Sequence, residues 1–117
     1  MLFRSQIRVH RVVCALDCGL VVNPDIVRAQ IEGGIVLGLN LGLYSRISFK
    51  NGVPSPTNFD KYRTLRMRDM PVVDVTMLQS GGPLGGVGEV GVPPTAPAVA
   101  NAWFALTGQR KRSLPMF

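Results

Sequence analysis

Apolar residues alternate with polar ones at Ile7 and Val9, then close up into Val12, Val13, Cys14, Ala15 and Leu16. That pattern predicts a strand that becomes buried on both faces and ends at the turn Asp17-Cys18-Gly19. Asn23-Pro24-Asp25 is a helix start: Asn as N-cap, Pro at the first helical position, an acidic residue beside the positive end of the dipole. Ile26, Ala29, Ile31, Gly34, Leu37, Gly38, Leu41 and Gly42 follow at roughly helical spacing, which predicts a helix running to about Tyr44. Ile47 to Phe49, Asn51-Gly52 and Val53 predict a short hairpin with a type I′ turn, its second strand stopped early by Pro54 and Pro56. Thr57 to Arg63 has no clear period, and Tyr62, Leu65 and Met67 fit a short extended or irregular segment. Val72 to Leu78 is β-branched and alternating enough for a strand. Six Gly and three Pro in residues 80–94 make a loop. Ala96 to Leu106 then reads as a short helix closed by Gly108, apolar almost all round and so in need of neighbours on most sides. The fold class expected is α+β: mixed strands, one long glycine-striped helix and one short apolar C-terminal helix, together a partial domain.

The long helix contains a contradiction. Gly33, Gly34, Gly38 and Gly42 each cost about 1 kcal/mol relative to Ala in a helix interior, so something must compensate. Gly34, Gly38 and Gly42 recur every four residues and form one smooth stripe, open to close approach by another backbone or a flat ligand. A membrane-dimer stripe is excluded by Arg28, Gln30, Glu32 and Asn40 in the same helix. Close packing within the protein is the simpler expectation.

Composition narrows the classes. The chain has 117 residues, 46% hydrophobic and 17% charged, which leaves room for one domain and argues against disorder. Thirteen Gly and nine Pro exceed what a compact fold of this size uses, the mark of a piece of something larger. No uninterrupted apolar run approaches the roughly 18 residues of a membrane span. Met1 to Ser5 has no periodicity and is set aside as a foreign junction, leaving 6–117 as the partial domain. The net charge of +6 attracts nucleic acid, an anionic cofactor or an acidic surface without choosing among them. Its loose groups, Arg63, Arg66, Arg68 and Arg110, Lys111, Arg112, read as solvated faces. Cys14 and Cys18, four apart with His10 not placed to join them, fit no zinc template, so no metal ligands are assigned. In an extended segment they stand about 13 Å apart, too far for a disulfide, and are expected as buried free thiols.

The loop carries the sharpest chemistry. In Gly86-Val87-Gly88-Glu89-Val90-Gly91-Val92-Pro93-Pro94 one carboxylate stands alone among glycines and apolar residues, shortly before a helix. Gly lets backbone approach a ligand, and apolar surroundings raise a carboxylate pKa toward the range of a general base. The plainer reading is that Glu89 supports the helix N-terminus through its dipole. Gly86, Gly88 and Gly91 spell Gly-x-Gly-x-x-Gly, but Pro93-Pro94 breaks direct entry into a helix and no acidic residue follows Glu89, so a dinucleotide site is not expected.

In combination, Asp17-Cys18-Gly19, Val22-Asn23-Pro24, Ala29-Gln30-Ile31-Glu32-Gly33-Gly34, Asn58-Phe59-Asp60-Lys61-Tyr62, Gly86-Val87-Gly88-Glu89, Pro97 to Ala102 and Arg112-Ser113-Leu114-Pro115 resemble the C-terminal end of the molybdenum hydroxylases. This is the xanthine dehydrogenase and aldehyde oxidase group, and the form here is most similar to its bacterial isoquinoline-oxidising branch. The resemblance implies a molybdenum-pterin cofactor, with the cytosine dinucleotide form common among bacterial relatives, and oxidation of an aldehyde or N-heterocycle with water as oxygen source. It implies Glu89 as the general base and Gln30 as a hydrogen-bonding partner of the pterin, with Gly86 and Gly88 beside the cofactor. With no four-cysteine pattern here, it places iron-sulfur clusters on a partner subunit. Its partners are thus a small-molecule substrate and that subunit, with no nucleic acid and no membrane span. A chain this short holds only part of such a subunit and is expected to be inactive alone. The competing reading, from the basic groups, is a small binding or assembly module without catalysis.

Overall fold

The structure, a computed structural model, describes residues 7–117, so the Met1–Ser5 junction lies outside the described residues. The elements are β1 (Arg11–Asp17), α1 (Pro24–Leu43), β2 (Ser48–Lys50), β3 (Val53–Ser55), β4 (Val72–Leu78) and α2 (Thr95–Thr107), with a short 3-10 turn at Met67–Asp69. β1 and β4 form a two-stranded parallel sheet in the register Arg11↔Val72 through Asp17↔Leu78. β2 and β3 form the predicted hairpin, and Asn51 and Gly52 both have positive φ, as a type I′ turn requires.

α1 begins where its sequence says: Asn23 Oδ1 accepts from the N–H groups of Asp25 and Ile26, both at 3.1 Å, with Pro24 in the first turn. Its buried face, Val27, Ile31, Gly34, Ile35, Gly38, Leu39, Gly42 and Leu43, follows the 3.6-residue period. Ile31, Ile35, Leu39 and Leu43 form the core with Val75, Val99 and Met116. By length and composition alone α1 could cross a membrane. Here it is a core helix, and Arg28 Nη1 donates to the Val75 carbonyl at 3.2 Å across to β4.

The glycine stripe meets protein backbone. A Cβ at Gly34 would stand 3.2 Å from Gly91 Cα, and one at Gly42 3.2 Å from Ala96 Cβ. At Gly38 it would meet Thr95 Cβ at 2.7 Å and the Val92 carbonyl oxygen at 2.8 Å. The stripe is therefore the seat of residues 91–96, the start of α2, and the packing gained there offsets the lost helix propensity. Met116 closes the same seam, its N–H donating to the Gly42 carbonyl at 2.8 Å.

Two expectations about burial are corrected. β1 is not buried on both faces: Val12, Cys14 and Leu16 turn inward, while Val13 is 70% exposed and Val72 beside it 64%. α1 covers one face of the sheet, and the described residues supply nothing for the other. For the same reason α2 buries only Thr95 and Val99, leaving Leu106 81% exposed. Both thiols are free, but only Cys18 is buried, since Cys14 lies at the half-covered sheet face. The total accessible surface, 8801 Å², exceeds the roughly 6,200 Å² expected of a compact monomer of this mass, as a partial domain should.

Gly38→Ala is expected to destabilise by about 1–3 kcal/mol, because the new Cβ overlaps a carbonyl that cannot move without α2. Gly33→Ala, five residues earlier in the same helix, meets open space and should stabilise by up to about 1 kcal/mol. Denaturant midpoints of the two variants should move in opposite directions.

Candidate functional site

Parallel pairing places the C-terminal ends of β1 and β4 side by side, so residues 18–23 and 79–94 leave the sheet at the same edge. That edge is where open parallel sheets bind ligands. The two loops are fastened to each other. Asp17 Oδ1 accepts the Gly19 N–H at 3.0 Å, and the Ser80 hydroxyl lies near the same carboxyl. The Ser80 hydroxyl first, and the Gly19 N–H after it, hold the Asp17 carboxyl below its ordinary 3.8 against an opposing effect of burial. Gly19 sits at φ 71°, and a Cβ there would fall 2.3 Å from the Pro83 carbonyl oxygen, so only glycine fits. The Gly85 N–H donates to the Cys18 carbonyl at 2.9 Å, completing the seam.

From Gly85 the chain arches free and lands on α1 at Gly91, whose own Cβ would stand 2.9 Å from the Ile31 carbonyl oxygen. A turn then forms, with the Val92 N–H donating to the Glu89 carbonyl at 2.9 Å and buried Thr95 Oγ1 donating to the Gly91 carbonyl at 2.7 Å. Glu89 is thus held two residues before one anchor and four after the other. Gln30 precedes Gly34 by one helical turn of α1, which places it one turn from the landing point of the arch. Gly86 and Gly88 have ordinary φ, and a Cβ at either would meet nothing within 4 Å. Neither turn geometry nor the chain's own packing accounts for these two glycines. They are open to close approach from outside.

Glu89 is exposed, and the apolar enclosure expected of it is not supplied by the described residues. The helix-support reading of Glu89 finds no contact: α2 has Pro94 at its N-cap with no side-chain cap, and Thr95 bonds backwards to Gly91. Gln30 is also exposed, and its amide makes no side-chain hydrogen bond among the described residues, which excludes a buried structural amide. No cluster of three metal-ligating side chains occurs among the described residues. The nearness of Ser80 to Asp17 and the seat of Gly19 on Pro83 escaped sequence reasoning. Asp-Cys-Gly marks a turn, but nothing local points to partners more than sixty residues away.

Comparison with known proteins adds the family. The description of the molybdopterin cofactor-binding domain matches residues 3–71, a span that includes Gln30 and stops before Glu89. The chain belongs to the molybdopterin cofactor-binding domain family. Its likeness to the molybdenum hydroxylases is borne out by relatives and by fold. Isoquinoline 1-oxidoreductase subunit beta from Brevundimonas diminuta is 44% identical over 112 residues, 96% of this chain and 14% of that protein. A membrane-bound aldehyde dehydrogenase (pyrroloquinoline-quinone) from Gluconacetobacter polyoxogenes is 36% identical over 92% of this chain and 14% of its own length. The crystal structure of quinoline 2-oxidoreductase from Pseudomonas putida 86 superposes with a TM-score of 0.81 at 26% identity, covering 93% of this chain and 15% of that one. The domain therefore spans about one seventh of the length of the proteins it matches.

The Asp17 turn makes a pH prediction. A carboxyl whose folded pKa lies below 3.8 stabilises the folded loop fully above 3.8 and loses that effect as pH falls through the lower folded value. Acidification below 3.8 should loosen the Asp17–Gly19 turn and with it the neighbouring seam before the core unfolds, and Asp17→Ala should loosen both at neutral pH. Faster amide hydrogen exchange at Gly19 and Gly85, with unchanged exchange at Ile35 and Leu39, is the expected result.

Proposed function

We propose that the domain supplies the catalytic base and one wall of the pterin site in a molybdenum hydroxylase that oxidises an aldehyde or N-heterocycle with oxygen taken from water. The observation that carries this reading is the arch between Gly85 and Gly91. It presents one carboxylate on a backbone fixed at both ends, with two glycines open to a ligand and the exposed amide of Gln30 one helical turn from where the arch lands.

The donor set fits a molybdopterin. The Gln30 amide offers both a donor and an acceptor, which suits the edge of a heterocycle. Gly86 and Gly88 leave the space a flat or branched cofactor needs, because no side chain of theirs intervenes. When bound, such a cofactor supplies a redox-active metal that acidifies water and accepts an electron pair from substrate. The chain's own part is Glu89, whose carboxylate takes up the proton released as water oxygen bonds to carbon. The two anchors keep that oxygen acceptor in place without spending the carboxylate on the fold. The cytosine dinucleotide form of the cofactor and a partner subunit carrying iron-sulfur clusters complete the proposed enzyme, and the chain alone is inactive in this reading.

Glu89→Gln in the complete enzyme keeps the shape and removes the base. Reduction of the enzyme by substrate in a single turnover should slow by roughly 10²–10⁴-fold with molybdenum content unchanged. A rate within about tenfold of the parent would remove Glu89 from the chemistry. Gln30→Ala should lower the molybdenum and pterin that co-purify while the melting temperature holds, since Ala favours a helix more than Gln does. Molybdenum analysis of the complete protein also separates this reading from a quinone-dependent enzyme, pyrroloquinoline-quinone being the cofactor named for the Gluconacetobacter relative.

A further inference from the structure

Beyond α2 the chain turns into a basic segment that the proposed chemistry does not use. Residues 90–117 contain no Asp or Glu, yet carry Arg110, Lys111 and Arg112. Among the described residues none of the three makes an ion pair or a side-chain hydrogen bond. Two are held instead by aromatic faces. The Arg110 guanidinium lies 3.8 Å over the Phe104 ring, and the Lys111 ammonium 4.2 Å from the centre of the Phe117 ring, itself set edge-on to Trp103. Stacking covers the face of a guanidinium and leaves its in-plane N–H donors free.

The segment is not a loose tail. Gly108 caps α2 in the left-handed conformation, and Met116 is buried in the core with its N–H on the Gly42 carbonyl, so the intervening residues are fixed at both ends. Between them and α2 lies an open pocket of about 330 Å³, within the size range of small-molecule sites. Its floor is Ala100 and Phe104, and its polar lining is Asn101, Ser113 and the three cations. It adjoins Gly42, about 18 Å along α1 from Gln30, at the other end of the glycine stripe from the arch.

We propose that this pocket binds the phosphate group of a small molecule. Three unpaired cations with no carboxylate among them match a polyvalent oxyanion better than a single carboxylate. The stacked guanidinium offers the bidentate fork such an oxyanion accepts, and Asn101 and Ser113 add neutral donors. A concave site of this volume takes a small ligand, whereas an acidic protein surface would need a wider, flatter face.

The test is calorimetric titration of the purified full-length protein with inorganic phosphate, pyrophosphate and acetate at one fixed ionic strength. Phosphate and pyrophosphate should each bind at one saturable site, and acetate should not compete. Arg110→Gln should weaken pyrophosphate binding at least about tenfold, the size of one lost charge-assisted contact, and Arg110→Lys should recover only part of it. Lys50→Gln, the same charge change on the β2–β3 hairpin, should leave binding unchanged. If Arg110→Gln fails to fold, Arg112→Gln, at an exposed position that stacks on nothing, gives the same reading. The proposal falls if neither phosphate nor pyrophosphate saturates, if acetate binds equally, or if Lys50→Gln costs as much as the pocket variants.

Discussion

The structure depends on one close approach: residues 91–96 lying against the side-chain-free row Gly34, Gly38 and Gly42 of α1. With any side chain at Gly38, Thr95 and the Val92 carbonyl could not occupy their places. Those places fix the turn that begins at Glu89 and the direction in which α2 departs. They also set the seam that Met116 closes. A helix carrying three glycines on one row is thus the condition for a rigid loop, and the cost in propensity of those three is offset by backbone packing that no other residue permits.

The second constraint comes from parallel pairing. β1 and β4 deliver their loops to one edge, where the loops could drift apart. Instead the Gly85 N–H on the Cys18 carbonyl joins them, with Gly19 seated against Pro83 and the Ser80 hydroxyl near the Asp17 carboxyl. These contacts stop at Gly85, and contact with α1 resumes at Gly91. What lies between is an arch held at its feet and bare at its crown, and the crown is where Gly86, Gly88 and Glu89 stand. A loop bonded along its whole length would have no free backbone to offer a cofactor, and one anchored at a single end would not keep a carboxylate in place.

Local chemistry was legible in the sequence and distant chemistry was not. Asn23-Pro24 marked the start of α1 because an N-cap and its proline act within one turn, and Asn51-Gly52 marked the hairpin because positive φ is a property of single residues. The stripe was legible as a place for close approach, since a period of four is a helical row, but what fills it was not, because Gly91 lies fifty-seven residues from Gly34. The double burial predicted for β1 failed for a related reason. Val13 is apolar, but among the described residues it is 70% exposed, and the apolar pattern of a strand does not say which of its faces the fold covers. At the site, Glu89 and Gln30 were singled out separately. That the loop holding Glu89 lands one helical turn from Gln30 follows only once the stripe is seen to seat the arch.

The exposure of Glu89 bears directly on how the chemistry is shared out. The described residues do not enclose Glu89, yet they fix its position through contacts that do not touch the carboxylate. They also leave apolar surface bare on the outer face of β1 and β4 and along α2, at Val13, Val72 and Leu106. These are surfaces built to be covered. Position and enclosure therefore have different sources: the described residues set where Glu89 stands, and they do not supply the water-excluding surroundings that the proposed role would use. In the proposed enzyme the geometry would be fixed by folding alone, and water would be excluded only once the site is complete.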